Sequence, residues 1–271
     1  MSNVVDFVMT DHPAWIPAGN GRGKLRVLVA FGRRWLIRTG GPTGFTLHEL
    51  APAASKPIHD VFHLPPGALA ELPQLAGSLA GLGTVARFRA GNLWDALATA
   101  AVRQMLRGVH ATNVYRQFCH AHGERIQLPT GEHYWLFPTP EAVLDLTPDQ
   151  FADVGLASKR AALRDAANGY LRDGHGWQSL PPLRMIEQLR RIPRVGRWTA
   201  HAAAADWSNE WALYAAGDLN LRTWARRAAP AYPWPPDQRT FANSWRMLTG
   251  HDLATATVLT LAWGSRHADT T

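Results

Sequence analysis

The N-terminal third of the chain alternates hydrophobic and polar positions with the period of a β-strand. Residues 24–41 (KLRVLVAFGRRWLIRTGG) are rich in Val, Leu, Ile, Phe and Trp and contain a turn signal near Gly32. This pattern predicts two strands joined by a tight turn, and residues 44–50 (GFTLHEL) predict another strand. Residues 62–83 are interrupted by Pro and Gly and predict short helices and loops. We therefore expect an N-terminal sheet domain over residues 1–85.

From residue 86 onward the hydrophobic spacing becomes helical. Residues 92–123 predict a long helical segment, and Thr-Pro pairs at 139–140 and 147–148 predict helix starts with a Thr cap. One predicted helix face is formed by Leu93, Leu97, Ala101 and Met105. The predicted fold class is α+β: a mainly α-helical domain over residues 86–271 preceded by an antiparallel β-sheet domain.

Composition and charge narrow the class of partner. The chain is 46% hydrophobic and 18% charged, which is typical of a globular protein. Its net charge is +7, and only three of its 28 basic residues are lysine. Arginine presents forked donors that suit phosphate, so the balance favours a polyanionic partner, although a coding bias toward Arg is an alternative explanation.

Cysteine usage and hydropathy exclude several kinds of site. A lone cysteine, Cys119, excludes intrachain disulfides, a four-cysteine zinc site and an iron–sulfur cluster held by this chain alone. His59 and His63 lack an evident third ligand, so we expect no metal bound by side chains. No signal peptide or apolar run of about 18 residues is present, and we expect a cytoplasmic protein.

Residues 183–207 (LRMIEQLRRIPRVGRWTAHAAAADW) predict two short helices joined by a turn. Three small residues give the second helix a narrow face: Ala200, Ala203 and Ala204. Apolar positions on the first helix and in the turn are Leu183, Ile186, Leu189, Ile192 and Val195. Gly196 stands where the chain enters the second helix, whose first turn has unsatisfied N–H groups and the positive end of the helix dipole. Arg194 and Arg197 flank this anion-binding end, so we predict that it binds phosphate.

This pattern resembles the helix-hairpin-helix of the base-excision DNA glycosylase superfamily, in which an essential aspartate follows the hairpin by some twenty residues. Here Asp218 lies 22 residues after Gly196. The resemblance extends over about residues 86–265 and includes the phrase FPTPE at 137–141. The strand character of residues 1–85 fits the N-terminal sheet of the 3-methyladenine DNA glycosylase II and 8-oxoguanine glycosylase branches.

The resemblance also implies a branch. Bifunctional members carry a nucleophilic lysine two residues after the last hairpin glycine, and here that position is Trp198. Residues 196–200 (GRWTA) match the alkylated-base branch, where this tryptophan lines the base pocket. We predict that Trp198, His201 and Ala202 line the pocket and that no lyase step occurs. A buried core tryptophan is the alternative for Trp198.

Excision of a base requires flipping and a stabiliser for the sugar cation. The resemblance assigns the stabiliser to Asp218, whose alternative is a helix cap only, and the wedge to Met105 or Leu106, although Met105 in the core is an equal alternative. Predicted DNA contacts are Arg194, Val195, Gly196, Arg197, Thr199 and Arg222. Arg222 is equally suited to a salt bridge with Asp218. No cofactor is required, but the resemblance allows a monovalent cation on the backbone carbonyls of Arg190, Ile192 and Val195.

Some positions depart from the family pattern. Arg194 replaces the usual first hairpin glycine, Ala202 replaces an aromatic pocket wall, and residues 250–264 lack the Pro-Trp-Arg-Ser of the alkylated-base branch. The predicted function is a monofunctional glycosylase that removes a damaged, alkylated base from double-stranded DNA in base excision repair, acting as a monomer at the nucleoid. The alternatives are a non-catalytic binder of DNA damage or DNA shape, and a glycosylase that clears bulky toxin adducts.

Overall fold

The computed structural model describes residues 4–19, 21–30, 32–51, 55–106 and 108–268. A four-stranded antiparallel sheet lies at the N-terminal end, in the order β2-β3-β4-β5. Its strands are β2 (Ile16–Pro17), β3 (Lys24–Ala30), β4 (Arg33–Thr39) and β5 (Phe45–Glu49). The predicted strand pair and the following strand are confirmed. Gly32 has a φ of +72°, which explains why a glycine is needed in the turn between β3 and β4.

A three-stranded sheet continues past the predicted domain boundary. It consists of β1 (Phe7–Val8), β6 (His59–Phe62) and β7 (Val85–Phe88), with β7 in the centre. The β7 strand runs parallel to β1 and antiparallel to β6, so the N-terminal part is not entirely antiparallel. The boundary predicted between residues 85 and 86 falls inside β7 and would cut this strand after its first residue.

Helices make up most of the remainder. The first six are α1 (Pro73–Ala80), α2 (Leu93–Arg103), α3 (Gly108–His122), α4 (Pro140–Asp145), α5 (Pro148–Asp153) and α6 (Arg160–Trp177). The last five are α7 (Pro182–Leu189), α8 (Arg197–Ser208), α9 (Leu219–Ala228), α10 (Gln238–Thr249) and α11 (Leu253–His267). None of these helices is long and apolar enough to cross a membrane.

The predicted Thr caps are confirmed. The Thr139 hydroxyl accepts the Ala142 N–H at 3.2 Å, and the Thr147 hydroxyl accepts the Gln150 N–H at 3.3 Å. In both helices proline follows at the first position, where its missing N–H costs no hydrogen bond. These two caps therefore set the starts of α4 and α5 locally.

A β-hairpin within the helical region was not predicted. It pairs β8 (Arg125–Gln127) with β9 (His133–Trp135). Its apolar side chains cover one face of the four-stranded sheet, where Ile126 and Tyr134 join the cluster that contains Leu25, Val27 and Leu36. Strands of three residues are too short to establish a period, but the Pro-Thr-Gly between them is a turn signal.

The main core joins the helical region to the N-terminal segment. The α8 helix packs against α2, and the predicted narrow face of Ala200, Ala203 and Ala204 is fully buried. Leucines of α1 enter the same core, and α1 packs against α9 and α11. Residues 73–80 therefore belong by packing to the helical body, although they precede the predicted boundary.

Buried ion pairs tie the sheets to the helices. Arg87 of β7 binds Asp206 of α8, and it also donates to Asp11 at 3.3 Å. Arg26 of β3 binds Asp95 of α2 at 2.8 Å. Because an unpaired buried charge is costly, these pairs fix how the sheets sit on α2 and α8.

Candidate active site

The predicted hairpin is present between α7 and α8. The Ile192 N–H donates to the Leu189 carbonyl and the Val195 N–H to the Ile192 carbonyl, each at 3.1 Å. Ile192 and Val195 are buried, as predicted for the apolar residues of the turn. Leu183 does not belong to the buried stripe, since it is 60% exposed at the start of α7, and Met185 is buried with Ile186 and Leu189 instead.

Gly196 caps α8 with an exposed backbone. Its φ of −77° and ψ of 177° suit any residue, and a Cβ added there would meet nothing within 4 Å. The fold itself therefore does not require glycine at this position. No side chain caps α8, so the first N–H groups of the helix face outward beside Gly196. An approaching backbone gains close access to these donors because there is no side chain at residue 196.

Arg194 occupies a conformation that favours glycine. Its φ is +64°, a conformation that glycine adopts without strain, and this explains why the family pattern has glycine at this position. Its guanidinium donates to Asp165 of α6 at 2.5 Å and is otherwise largely exposed. The Arg197 side chain is exposed in the first turn of α8. The two arginines therefore flank the open N-terminus, but Arg194 is already paired with a carboxylate.

Three predicted DNA contacts have side chains that are buried or bound to another part of the protein. The Thr199 side chain is buried, with the residue 1% exposed, so only its backbone N–H is placed for a phosphate. The Arg222 guanidinium donates to the Pro236 carbonyl at 3.2 Å. No ion pair between Arg222 and Asp218 is found among the described residues. Val195, whose side chain is buried, likewise offers only its backbone.

Asp218 lies at the N-terminus of α9 and is 5% exposed. Its Oδ1 accepts the N–H groups of Asn220 and Leu221 at 2.9 and 3.0 Å. Its Oδ2 accepts the indole N–H of Trp198 at 2.8 Å. These three donors hold both oxygens of the carboxylate in place. Asp218 is thus the N-cap of α9. It is not a cap only, because it also accepts a hydrogen bond from α8, the second helix of the hairpin.

The bond from Trp198 was not predicted. The side chain is half-buried, and its N–H orients the carboxylate. A β-carboxylate held by both the hairpin helix and its own helix has little freedom to rotate. Trp198 therefore couples the position of Asp218 to the position of the hairpin.

His201 and Ala202, predicted as pocket walls, lie beside this pair on α8. His201 Nδ1 is hydrogen-bonded to the Leu213 carbonyl in the segment that leads to Asp218. Burial lowers the pKa of His201, the Leu213 carbonyl opposes that shift, and the charges of Arg197, Arg190 and Arg246 lower it further. Ala202 is buried in the main core. The ring of His201 therefore binds the segment that precedes Asp218 in the chain.

Two further residues near Asp218 were missed. Burial raises the pKa of Tyr214 well above its usual value, and the Asp218 charge adds to this effect, so the phenol stays neutral. Burial opposes the charge of Arg103, but Tyr214, Asp11, Asp206 and Asp218 raise the pKa of Arg103 above that of an ordinary arginine. Arg103 is the last residue of α2 and lies two residues before Met105. Its position beside Gln104 was the signal available in the sequence.

The two residues predicted as wedge candidates, Met105 and Leu106, differ in their exposure to solvent. Met105 is 93% exposed and has a φ of +62°, so it lies beyond the end of α2 and not on its predicted apolar face. Leu106 is partly buried and packs against the main core. Its N–H donates to the Arg103 carbonyl at 3.1 Å and closes a tight turn. Met105 is therefore outside the core, whereas Leu106 packs against it.

A cavity of about 550 Å³ lies away from these residues. It is lined mainly by α3 and the β8–β9 hairpin, including Tyr115, Cys119, Tyr134 and Trp135. None of its lining residues belongs to the α7–α8 hairpin or to α9. It is therefore separate from Asp218.

Comparison with known proteins agrees with this architecture. No family model matches the chain. DNA-3-methyladenine glycosylase of Bacillus subtilis (strain 168) is 31% identical over 114 residues, a match that covers 41% of this chain and 37% of that protein. The chain thus aligns with little more than a third of the length of this curated relative.

Two solved structures share almost the whole fold. The 8-oxoguanine glycosylase/lyase of Clostridium acetobutylicum, in complex with double-stranded DNA, superposes with a TM-score of 0.71 at 15% identity and covers 98% of this chain and 94% of that chain. The 3-methyladenine DNA glycosylase of Archaeoglobus fulgidus superposes with a TM-score of 0.65 at 16% identity and covers 96% and 93%. The chain therefore has the fold of the helix-hairpin-helix DNA glycosylase superfamily.

Proposed function

We propose that this protein is a monofunctional DNA glycosylase that hydrolyses the N-glycosidic bond of an alkylated base flipped out of double-stranded DNA, as a step of base excision repair. The observation that carries this proposal is the pairing of Asp218 with the indole N–H of Trp198 at 2.8 Å, beside a hairpin with an open N-terminus. The curated relative and one of the structural neighbours are 3-methyladenine glycosylases, which supports the substrate class.

The hairpin would hold the DNA strand. The backbone N–H groups that begin α8 offer hydrogen bonds to a phosphate, and the exposed Arg197 adds a charge. Because flipping leaves a gap in the base stack, an apolar wedge has to fill it. Met105 suits this role, since it is exposed at the tip of a tight turn.

Asp218 would act on the sugar. When the C1′–N bond breaks, its electron pair leaves with the base and positive charge develops on the deoxyribose. The ionised carboxylate stabilises that cation. Water then forms the new C1′–O bond, and its proton passes to Asp218 or to solvent. A base that is already cationic leaves as a neutral molecule, so one carboxylate is sufficient. The indole of Trp198 would also attract such a base through a cation–π contact.

The proposal excludes a lyase step because no amine stands at the hairpin. Trp198 occupies the position of the lyase lysine, and Lys159 is the only lysine after residue 56. A Schiff base at C1′ requires such an amine. Borohydride should therefore trap no covalent complex with abasic DNA, and a trapped complex would contradict the monofunctional assignment.

The decisive experiment is base release from methylated duplex DNA. We expect the wild type to release 3-methylated purines, detected by mass spectrometry, and Asp218→Asn to bind the same duplex without release. Ethenylated, deaminated and oxidised duplexes assayed in parallel identify the substrate. Release by Asp218→Asn at the wild-type rate would refute the assignment of Asp218.

A non-catalytic damage-binding protein is the second candidate. It is favoured by the near-complete burial of Asp218, whose two oxygens already accept three hydrogen bonds. This candidate predicts tight binding to damaged duplexes and no base release from any of them by the wild type. The release assay therefore distinguishes the two functions.

We also propose that the protein works as a monomer on nucleoid DNA and that its hairpin binds a monovalent cation. The turn brings the carbonyls of Arg190, Ile192 and Val195 onto one short loop, closed by the bond between the last two. Backbone carbonyls are suitable ligands for potassium or sodium. Sedimentation velocity tests the monomer. Duplex affinity in potassium chloride against tetramethylammonium chloride, at equal ionic strength, tests the cation.

A further inference from the structure

The tight turn after α2, which comprises residues 103–106, is bound by the buried side chain of Lys159. Lys159 is 9% exposed and lies in a short 3-10 segment just before α6. Its ammonium donates to the backbone carbonyl of Gln104. Gln104 is the cap of α2, where the last carbonyls lack partners within the helix and a positive charge complements the dipole.

The charge of Lys159 lacks an acidic partner among the residues that the structure describes. Burial lowers the pKa of Lys159, and no carboxylate within the described ranges of the chain forms an ion pair with it. A buried ammonium without a counter-charge is costly, and an apolar side chain of similar length would fill the same space without that cost. The hydrogen bond from its ammonium to the Gln104 carbonyl therefore indicates what the charge does.

The residue after that contact is in a strained conformation. Met105 has a φ of +62°, a region that side chains other than glycine seldom occupy. Such a conformation persists only where the surroundings impose it. The turn is held on one side by the Leu106 N–H bond to Arg103 and by the packing of Leu106 in the core. At Gln104 the turn is held by the ammonium of Lys159. Met105 is therefore exposed between two residues, Gln104 and Leu106, whose backbones are held in place.

We propose that Lys159 is a positioning residue for base flipping, because its bond to the Gln104 carbonyl holds Met105 in the projecting conformation that enters the base stack. This inference rests on the proposed function, since Met105 acts as a wedge only if the protein flips a nucleotide. It predicts that loss of the ammonium mimics loss of the Met105 side chain.

The test measures flipping without catalysis. In an Asp218→Asn background, duplexes carry 2-aminopurine at the target position, whose fluorescence rises when the base leaves the stack. Lys159→Met should lower the flipping equilibrium by about tenfold, as expected for a lost hydrogen bond to a charged donor. Lys159→Arg, which keeps a charged donor, should restore most of the signal. Met105→Ala should match Lys159→Met, and the two together should be no worse than either alone.

Controls separate this role from a general loss of structure. Affinity for undamaged duplex depends on the hairpin and should stay within about twofold in Lys159→Met. Equal flipping by Lys159→Met and the parent would overturn the proposal, as would a failure of Lys159→Arg to restore flipping in a folded protein. These readouts do not require base release. Absence of release with intact, Lys159-dependent flipping would reject the enzymatic function and leave the present proposal standing.

Discussion

Trp198→Phe removes one hydrogen bond at the proposed catalytic centre and little else. Phenylalanine keeps the aromatic contact of Trp198 with the core but cannot donate to Asp218 Oδ2, which now accepts that N–H at 2.8 Å. The carboxylate retains its two bonds to the start of α9, but these hold Oδ1 alone. We therefore expect Asp218 to stay at the helix cap and to lose its fixed orientation.

The magnitude follows from the burial of the carboxylate. A hydrogen bond to a charged group contributes about 1.5–3 kcal/mol, and a group as buried as Asp218 gains little compensation from water. Each 1.4 kcal/mol is a factor of ten in rate, so the single-turnover rate of base release should fall roughly 10- to 150-fold. Affinity for duplex DNA should change by less than about threefold, because the phosphate-binding N–H groups are unaltered.

The assay is single-turnover release of methylated purine from duplex DNA, with affinity measured separately on the same duplex. Trp207→Phe is the matched control, since Trp207 is also half-buried on α8 but does not bond to Asp218. In an Asp218→Asn background Trp198→Phe should have little further effect, because both changes act on the same group. A rate within twofold of the wild type, or equal losses in the two tryptophan variants, would refute the reasoning.

Three further outcomes follow from the same contacts. Gly196→Ala should change the free energy of unfolding by less than about 1 kcal/mol, because the smaller entropy of the unfolded chain offsets the poorer N-cap and the new Cβ meets open space, yet it should weaken duplex binding at least tenfold. Gly176→Ala, also in open space, is the control for urea unfolding and affinity. Arg197→Glu should weaken binding to all duplexes alike and reduce the slope of log affinity against log salt by about 0.9 or more; an unchanged slope would contradict a phosphate contact. Burial holds the pKa of His12 well below 6.5, so the unfolded chain takes up this proton before the native state does. The stability that neutral His12 contributes is therefore fully present above pH 6.5, declines as pH falls below 6.5 and is lost as pH falls through the lower folded value. The Tm of the wild type should therefore fall more between pH 7 and 5 than that of His12→Gln, and equal declines would exclude His12 as the cause.

Local signals were sufficient for much of the fold and for part of the site. The Thr-Pro pairs predicted α4 and α5 because each cap is made by residues three apart. The hairpin was predicted from its apolar spacing and its turn residues, and the start of α9 was predicted from the resemblance of the spacing between Gly196 and Asp218 to a family pattern. Met105 was misplaced on a helix face because periodicity alone does not show where α2 ends.

Long-range packing decided what the sequence left open. The β8–β9 hairpin forms because its apolar residues cover a sheet that is built from residues 16–49, far away in the chain. The burial of Thr199 and the bond of Arg222 to Pro236 likewise depend on neighbours that a pattern does not reveal.

The sequence by itself determined the class of the fold and the hairpin, because both depend on hydrophobic period and turn residues, and it singled out Asp218 through the resemblance of its spacing from Gly196 to a family pattern. Only the tertiary structure decided that Trp198 bonds to Asp218, that Arg103 and Tyr214 stand near it, and that Lys159 supports the turn before Met105. These contacts join residues from separate helices, and a hydrogen bond between them exists only after the core has brought those helices together.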